Sequence, residues 1–370
     1  MSASTSSVPQ VSDRAPRIGR RDLLSIAAFV GISFALAWLV ALPLWLGDGL
    51  ASPVFPVVAV AMMATPAAAA LIVVFFIDKP RRKARALGLW PLKPVRRFIE
   101  FSALGIFVPI VLVLIALPVG AVLGVYPADF AGFSGFEQLV TEQVRAAGVG
   151  ALPLTVGALV AIQLVTLPAA AFINLIPALG EELGWRGWLL PKLMPLGAVP
   201  AIVISGVIWG LWHSPLILLG YNYPDAPGWL GVAAMVGVCI TFGGFFGWLR
   251  LRSDSVWPAA LAHASFNGAA GAYLLFSMAG ERIDTTQATV LGWSGWIVPL
   301  VLVIVLVATG RFRRPIVASD VPTTATSRAR ADSRAPRPAP PSRRLSRRFR
   351  PSRHRSATER CSQPRRSSAD

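Results

Sequence analysis

The stretch FIEFSALGIFVPIVLVLIALPVGAVLGV, residues 98–125, decides the fold, because Glu100 is its only ionisable side chain. About 20 apolar residues in a helix cross a bilayer core, so a run of this length is read as a membrane span. Seven further runs have the same character: 23–46, 53–77, 155–180, 197–220, 228–249, 256–279 and 291–310. The whole chain agrees with them. Of its 370 residues 54% are hydrophobic and 14% charged, where a soluble domain carries about 25% charged residues, and the mean hydropathy is +0.60. No short alternating strands of the kind a membrane barrel needs are present. The sequence predicts an all-α polytopic membrane helix bundle of about eight transmembrane helices.

The net charge of +17 is distributed unevenly. Basic residues fall before the first span, in the loop 78–97, after the fourth and sixth spans, and above all in the tail, which holds seventeen of the 35. Only Arg145 and Arg282 fall in the alternate loops, which hold Asp48, Asp129, Glu137, Glu142, Asp225, Glu281 and Asp284. By the positive-inside rule both termini are expected to be cytoplasmic, in a bacterial inner membrane. The N-terminal RIGRRDLLSIAAFV could suggest a twin-arginine signal. Its apolar run is longer than a signal's about 7–15 residues, and no small-residue cleavage site follows, so a first span is expected.

Three regions result: a cytoplasmic segment 1–22, a membrane domain 23–310, and a tail 311–370 rich in Arg, Pro and Ser. The tail has too few large apolar side chains to offset ordering entropy and is expected to be disordered. It is either a solvated topology signal or a tether to anionic lipid; no specific nucleic-acid partner is predicted. Cys239 and Cys361 form no disulfide framework or CxxC site.

Inside the spans the strong polar groups are few: Glu181, Glu182, Arg186, His213, His263 and Asn267, with Glu100, Gln163 and Asn174 besides. An ionisable group at mid-membrane costs at least about 2.5–3.5 kcal/mol, which makes each a functional candidate. In ALGEELGWRGWLL, 178–190, Glu182 and Arg186 stand at i, i+4 with the acid first, the favourable order for an ion pair. Glu181 then points elsewhere as the free carboxylate, with Trp185 one turn on to exclude water. In SGVIWGLWHSPL, 205–216, Trp209 is one turn before His213. In WPAALAHASFNGAAG, 257–271, His263 and Asn267 share a face among alanines and glycines that allow close helix approach. Taken singly, His213 reads as a core histidine and His263–Asn267 as an interhelical hydrogen-bonding pair. Counted at 1.5 Å per residue, Glu181, His213, His263 and Asn267 lie about 16, 22, 10 and 16 Å from the same membrane face, so one cavity can hold all four.

Such a cavity supports two chemistries. Glu181 and His213 can hold and deprotonate a water while His263 and Asn267 stabilise the oxyanion of acyl transfer. Alternatively Glu181, His213 and His263 coordinate zinc, which lowers the pKa of bound water to about 7. No HExxH motif and no serine elbow is present. A proton- or ion-coupled transporter would also bury Glu, His and Asn, but would show corresponding broken helices in repeated halves.

EELGWRG at 181–187, WGLWH at 209–213 and HASFN at 263–267, in that order on successive membrane helices, resemble the CPBP family of intramembrane endopeptidases. These are the CAAX-protease and bacteriocin-processing (Abi) proteins. The resemblance covers about 160–275 and implies a hydrolase acting on a membrane protein or peptide. It assigns Glu181 as catalytic glutamate, His213 as the residue helping to hold water, and His263 with Asn267 as the oxyanion pair. Glu182 and Arg186 complete the first motif, and Trp209 stands where Phe is common. Zinc and metal-free glutamate mechanisms are both compatible with the resemblance, and so is a scaffold or immunity protein that keeps the site but works by binding.

Overall fold

The computed structural model describes residues 18–148 and 154–312. The N-terminal segment up to residue 17 and the basic tail from residue 313 lie outside the described residues. Helix α1 (Arg20–Leu46) is followed by a broken span, α2 (Phe55–Met63), α3 (Thr65–Ile72) and a π-helical segment Val73–Asp78. A loop containing the single turn α4 (Lys83–Ala86) leads to α5 (Val95–Val122), the longest helix. Then come α6 (Ser134–Ala146) and α7 (Val156–Ile173). Next is α8 (Leu175–Glu182), which runs into a π-helical segment Leu183–Leu189 and the turn α9 (Leu190–Leu193). The chain continues through α10 (Ala198–Trp212), the turn α11 (Ser214–Ile217), α12 (Gly228–Ser253), α13 (Trp257–Ala269) and α14 (Trp293–Ala308). Among the described residues there is no strand, only an isolated bridge between Ala128 and Ser277.

Among the described residues five helices are long and apolar enough to cross a membrane: Arg20–Leu46, Phe55–Asp78, Val95–Val122, Val156–Ile173 and Gly228–Ser253. Ala198–Trp212 and Trp293–Ala308 are apolar but shorter. The described part of the chain is all-helical, and its apolar helices mark a multi-pass membrane protein.

Three expected spans end earlier than their apolar runs, and proline accounts for two of the breaks. Pro177 lacks the N–H that would bond the Ile173 carbonyl, and α7 ends at Ile173. Pro215 is likewise four residues after Leu211, and α10 stops at Trp212. The seventh expected run ends as α-helix at Ala269 and continues as a 3-10 turn, Ala270–Leu275. Glu100, expected inside a span, is only two turns into α5, where its exposed side chain pairs with Arg96 at 2.8 Å. The amphipathic α6 was not signalled by the apolar runs. Its entry is held by Asp129, which accepts the Gly132 and Ser134 N–H groups; these bonds hold its carboxyl below the usual range.

Small residues set the closest helix approaches. A Cβ on Gly206 or Gly210, a small-xxx-small pair on α10, would stand 2.7 or 2.5 Å from the backbone of Ile240 or Val236 on α12. On α13, Ala259, Ala260, Ala262 and Ala264 are fully buried. That helix packs against α5, α7 and α8. The packing brings His263 onto the end of α8, where the two glutamates lie.

Candidate active site

The π-helical segment after α8 buries six consecutive residues, Gly184 to Leu189. Its glycines permit this: a Cβ on Gly184 would stand 2.8 Å from the Pro66 carbonyl, and one on Gly187 would stand 2.9 Å from that of Leu87. With neighbours on all sides, Arg186 turns inward with the two glutamates before it.

Glu182 is fully buried and Arg186 nearly so. The Arg186 Nη1 donates to Glu182 Oε1 at 2.7 Å, the i, i+4 pair expected from the spacing. The same oxygen also accepts from His263 Nδ1 at 3.0 Å. One carboxylate oxygen thus ties α8, the π-helical segment and α13 together. The other, Oε2, is buried with no partner among the described residues.

Glu181 is 2% exposed. Its Oε2 accepts the Trp209 indole N–H at 2.7 Å. The expected neighbour Trp185 instead packs edge-on against Phe29 and Trp212. Trp209 connects the whole cluster. The Arg186 guanidinium lies 4.1 Å from its ring centroid, and its ring centre is 5.8 Å from that of His213 and 5.2 Å from that of His263. Phe246 stacks on His263 at 5.8 Å and lies 6.2 Å from the Trp209 ring centre.

Hydrogen bonding fixes the roles of the imidazole nitrogens. His213 Nδ1 is 2.9 Å from the Trp209 carbonyl. A carbonyl only accepts, so Nδ1 carries the hydrogen and Nε2 of the neutral ring keeps its lone pair. His263 Nδ1 donates to Glu182, which leaves Nε2 as its outward nitrogen. Asn267, one turn beyond His263, is exposed and makes no side-chain hydrogen bond among the described residues. The structure therefore gathers Glu181, Glu182, Arg186, Trp209, His213 and His263, and leaves Asn267 and Trp185 at the edges.

A family model described as type II CAAX prenyl endopeptidase Rce1-like matches residues 163–269. CAAX prenyl protease 2 of Methanococcus maripaludis is 29% identical over 102 residues, which are 26% of this chain and 37% of that protein. Residues 163–269 are thus similar to the CPBP family of CAAX-type endopeptidases. All eight expected site residues fall within the matched interval. The match spans little more than a third of the length of that curated relative.

Two features of this site are absent from the motif spacing. One is the sharing of Glu182 between Arg186 and His263, which lies 81 positions away. The other is Cys239 on α12, whose Sγ is 4.0 Å from His213 Nδ1; an isolated cysteine in an apolar run carries no signal for that contact. Among the described residues no group of three His, Cys, Asp or Glu side chains, the expected set of Glu181, His213 and His263 included, stands where it could hold a metal ion. The Glu182 contact occupies only Nδ1 of His263, so Nε2 is the nitrogen it would offer to a ligand.

Proposed function

We propose that this CPBP core is an intramembrane endopeptidase that hydrolyses a peptide bond of a membrane-associated protein or peptide. The observation that carries the reading is the setting of Glu181. It is a buried carboxylate held by the Trp209 N–H beside His213, within the interval that matches CAAX endopeptidases. A general base in a largely dry site needs a fixed orientation and an acceptor free for the water proton. Trp209 occupies Oε2 and leaves Oε1 for that task. His213, through Nε2, accepts the second water hydrogen and aims the oxygen lone pair at the carbonyl carbon. The water oxygen bonds to that carbon as its proton passes to Glu181. The negative charge gathers on the former carbonyl oxygen, facing His263 Nε2, when that nitrogen carries a proton, and Asn267. Collapse breaks the C–N bond, and Glu181 returns the proton to the leaving amine.

The charge distribution supports an orientation with both termini on the cytoplasmic side of a bacterial inner membrane, and so a site nearer that face. The name of the curated relative suggests lipid-anchored substrates, and a membrane-tethered peptide is the substrate class to try first.

The test is cleavage of a membrane-peptide library by the purified full chain, wild type against Glu181→Gln, with and without chelator. Glu181→Gln is expected to lower the rate by about 10²–10⁴-fold, the contribution of a positioned acid-base group, with an unchanged melting profile. Chelator-resistant wild-type cleavage is expected. Cleavage lost to chelator and restored by zinc would replace the direct glutamate mechanism. Full activity of Glu181→Gln would remove Glu181 from the chemistry, and a wild type that cleaves nothing would favour a binding or scaffold role.

A further inference from the structure

The loop 79–97 joins two spans, so it lies at one surface of the bilayer. It holds eight basic residues and no acid. Lys79, Arg81, Arg82, Arg85 and Lys93 are exposed. Among the described residues, Arg96 is the only one of the eight with a carboxylate partner, Glu100, which is itself exposed. Asp22 and Asp78, which line a pocket with Pro80 and Ala86 of the loop, are both engaged by Lys192, at 2.6 and 3.0 Å, and Asp254 faces Arg250 at 3.8 Å.

Apolar anchors are interleaved with these charges. Trp90 is 62% exposed, and Val95 and Ile99 also face outward. Lys83 Nζ lies 5.0 Å from the centre of the Phe75 ring and the Arg97 guanidinium 5.9 Å from that of Phe101, so two cations run along span-end aromatics towards the surface. An exposed tryptophan amid cations whose stems lie on apolar side chains is the chemistry of a headgroup layer.

The loop is also firmly seated. Leu87 is 2% exposed, the Val256 N–H donates to the Gly88 carbonyl at 2.9 Å, and Gly88 (φ +71°) lies so close to the Arg250 guanidinium that a Cβ would stand 2.7 Å from it. The Leu87 carbonyl borders Gly187, one residue after Arg186. The cations are therefore presented from a fixed backbone.

We propose that loop 79–97 is a binding surface for anionic phospholipid headgroups of the leaflet it faces. It is distinct from the basic tail and rests on the same chain segment as the candidate site. Each basic residue near an anionic leaflet contributes about 1 kcal/mol, roughly fivefold in association, screened over about 10 Å at 0.1 M salt. The partner is the lipid rather than free phosphate because Trp90, Val95 and Ile99 need an apolar layer beside the charge.

The test uses the full chain in phosphatidylcholine proteoliposomes with spin-labelled phosphatidylglycerol or phosphatidylcholine, reading the motionally restricted lipid fraction. Wild type is expected to favour phosphatidylglycerol several-fold, with the preference falling as sodium chloride is raised. Combined Arg81→Gln, Arg82→Gln and Arg85→Gln should bring the preference close to that for phosphatidylcholine. Combined Arg347→Gln, Arg348→Gln and Arg350→Gln in the tail should leave it. Equal restriction of the two lipids by wild type overturns the proposal, as does a preference that survives the loop changes but not the tail changes. Displacement by inorganic phosphate beyond that by chloride at matched ionic strength also overturns it, since the loop would then be a free-phosphate site. The salt series on wild type needs no variant to fold.

Discussion

Replacing Arg186 by Met isolates the energetics of the site. Glu182 is fully buried and one of its oxygens carries two bonds, from Arg186 at 2.7 Å and from His263 at 3.0 Å. Removing the guanidinium leaves a buried carboxylate with a single donor. Breaking a buried pair from one side costs about 3–5 kcal/mol, because the uncompensated charge remains in a medium that cannot solvate it. Arg186→Met also removes the cation lying 4.1 Å from the Trp209 ring centre, a contact worth about 2 kcal/mol when desolvated. Glu182→Gln should cost a similar amount from the other side, by leaving Arg186 unpaired. The double variant Glu182→Gln, Arg186→Met removes both charges, so its loss should fall short of the summed single losses by about 2–3 kcal/mol, at the upper end for residues in contact. The assay is reversible unfolding in mixed dodecylmaltoside and SDS micelles, followed by circular dichroism, for all four corners of the cycle. Additive losses within about 0.5 kcal/mol would refute the pairing as an energetic unit.

Two further predictions rest on single contacts. Trp209→Phe keeps an aromatic ring beneath Arg186 but removes the N–H donated to Glu181 at 2.7 Å. A hydrogen bond to a charged group contributes about 1.5–3 kcal/mol, so kcat/KM on a quenched membrane peptide should fall about tenfold to a hundredfold, and a rate within twofold of wild type would show that this bond does not position Glu181. Gly210→Ala drives a methyl to 2.5 Å from Val236 and should destabilise by about 1–3 kcal/mol, whereas Gly31→Ala on α1, with open space around it, should be neutral or stabilising by up to about 1 kcal/mol. Equal melting temperatures for those two variants would contradict the α10–α12 approach.

What is local along the chain could be read from residue order alone. Length and apolarity mark the helices because a bilayer admits few alternatives for a backbone whose polar groups must all be satisfied. The Glu182–Arg186 pair is legible because four residues make one helical turn. Three motifs of Glu, His and Asn in order point to one family for the same reason, since each motif lies within a few residues. What joins one helix to another could not be read this way. Trp209 bonds Glu181 across 28 positions, and His263 bonds Glu182 across 81. Those contacts depend on how far each helix is rotated and how closely it approaches. Tertiary packing fixes both, through the glycines on α10, the alanines on α13 and the π-helical turn at Leu183–Leu189. The same packing turned Trp185 onto Phe29, left Asn267 exposed and ended two spans at prolines. A periodicity of 3.6 residues tells which side chains share a face but not what that face meets. That second fact separates a carboxylate held by an indole from a carboxylate shared by an arginine and a histidine, and here it was decided in three dimensions.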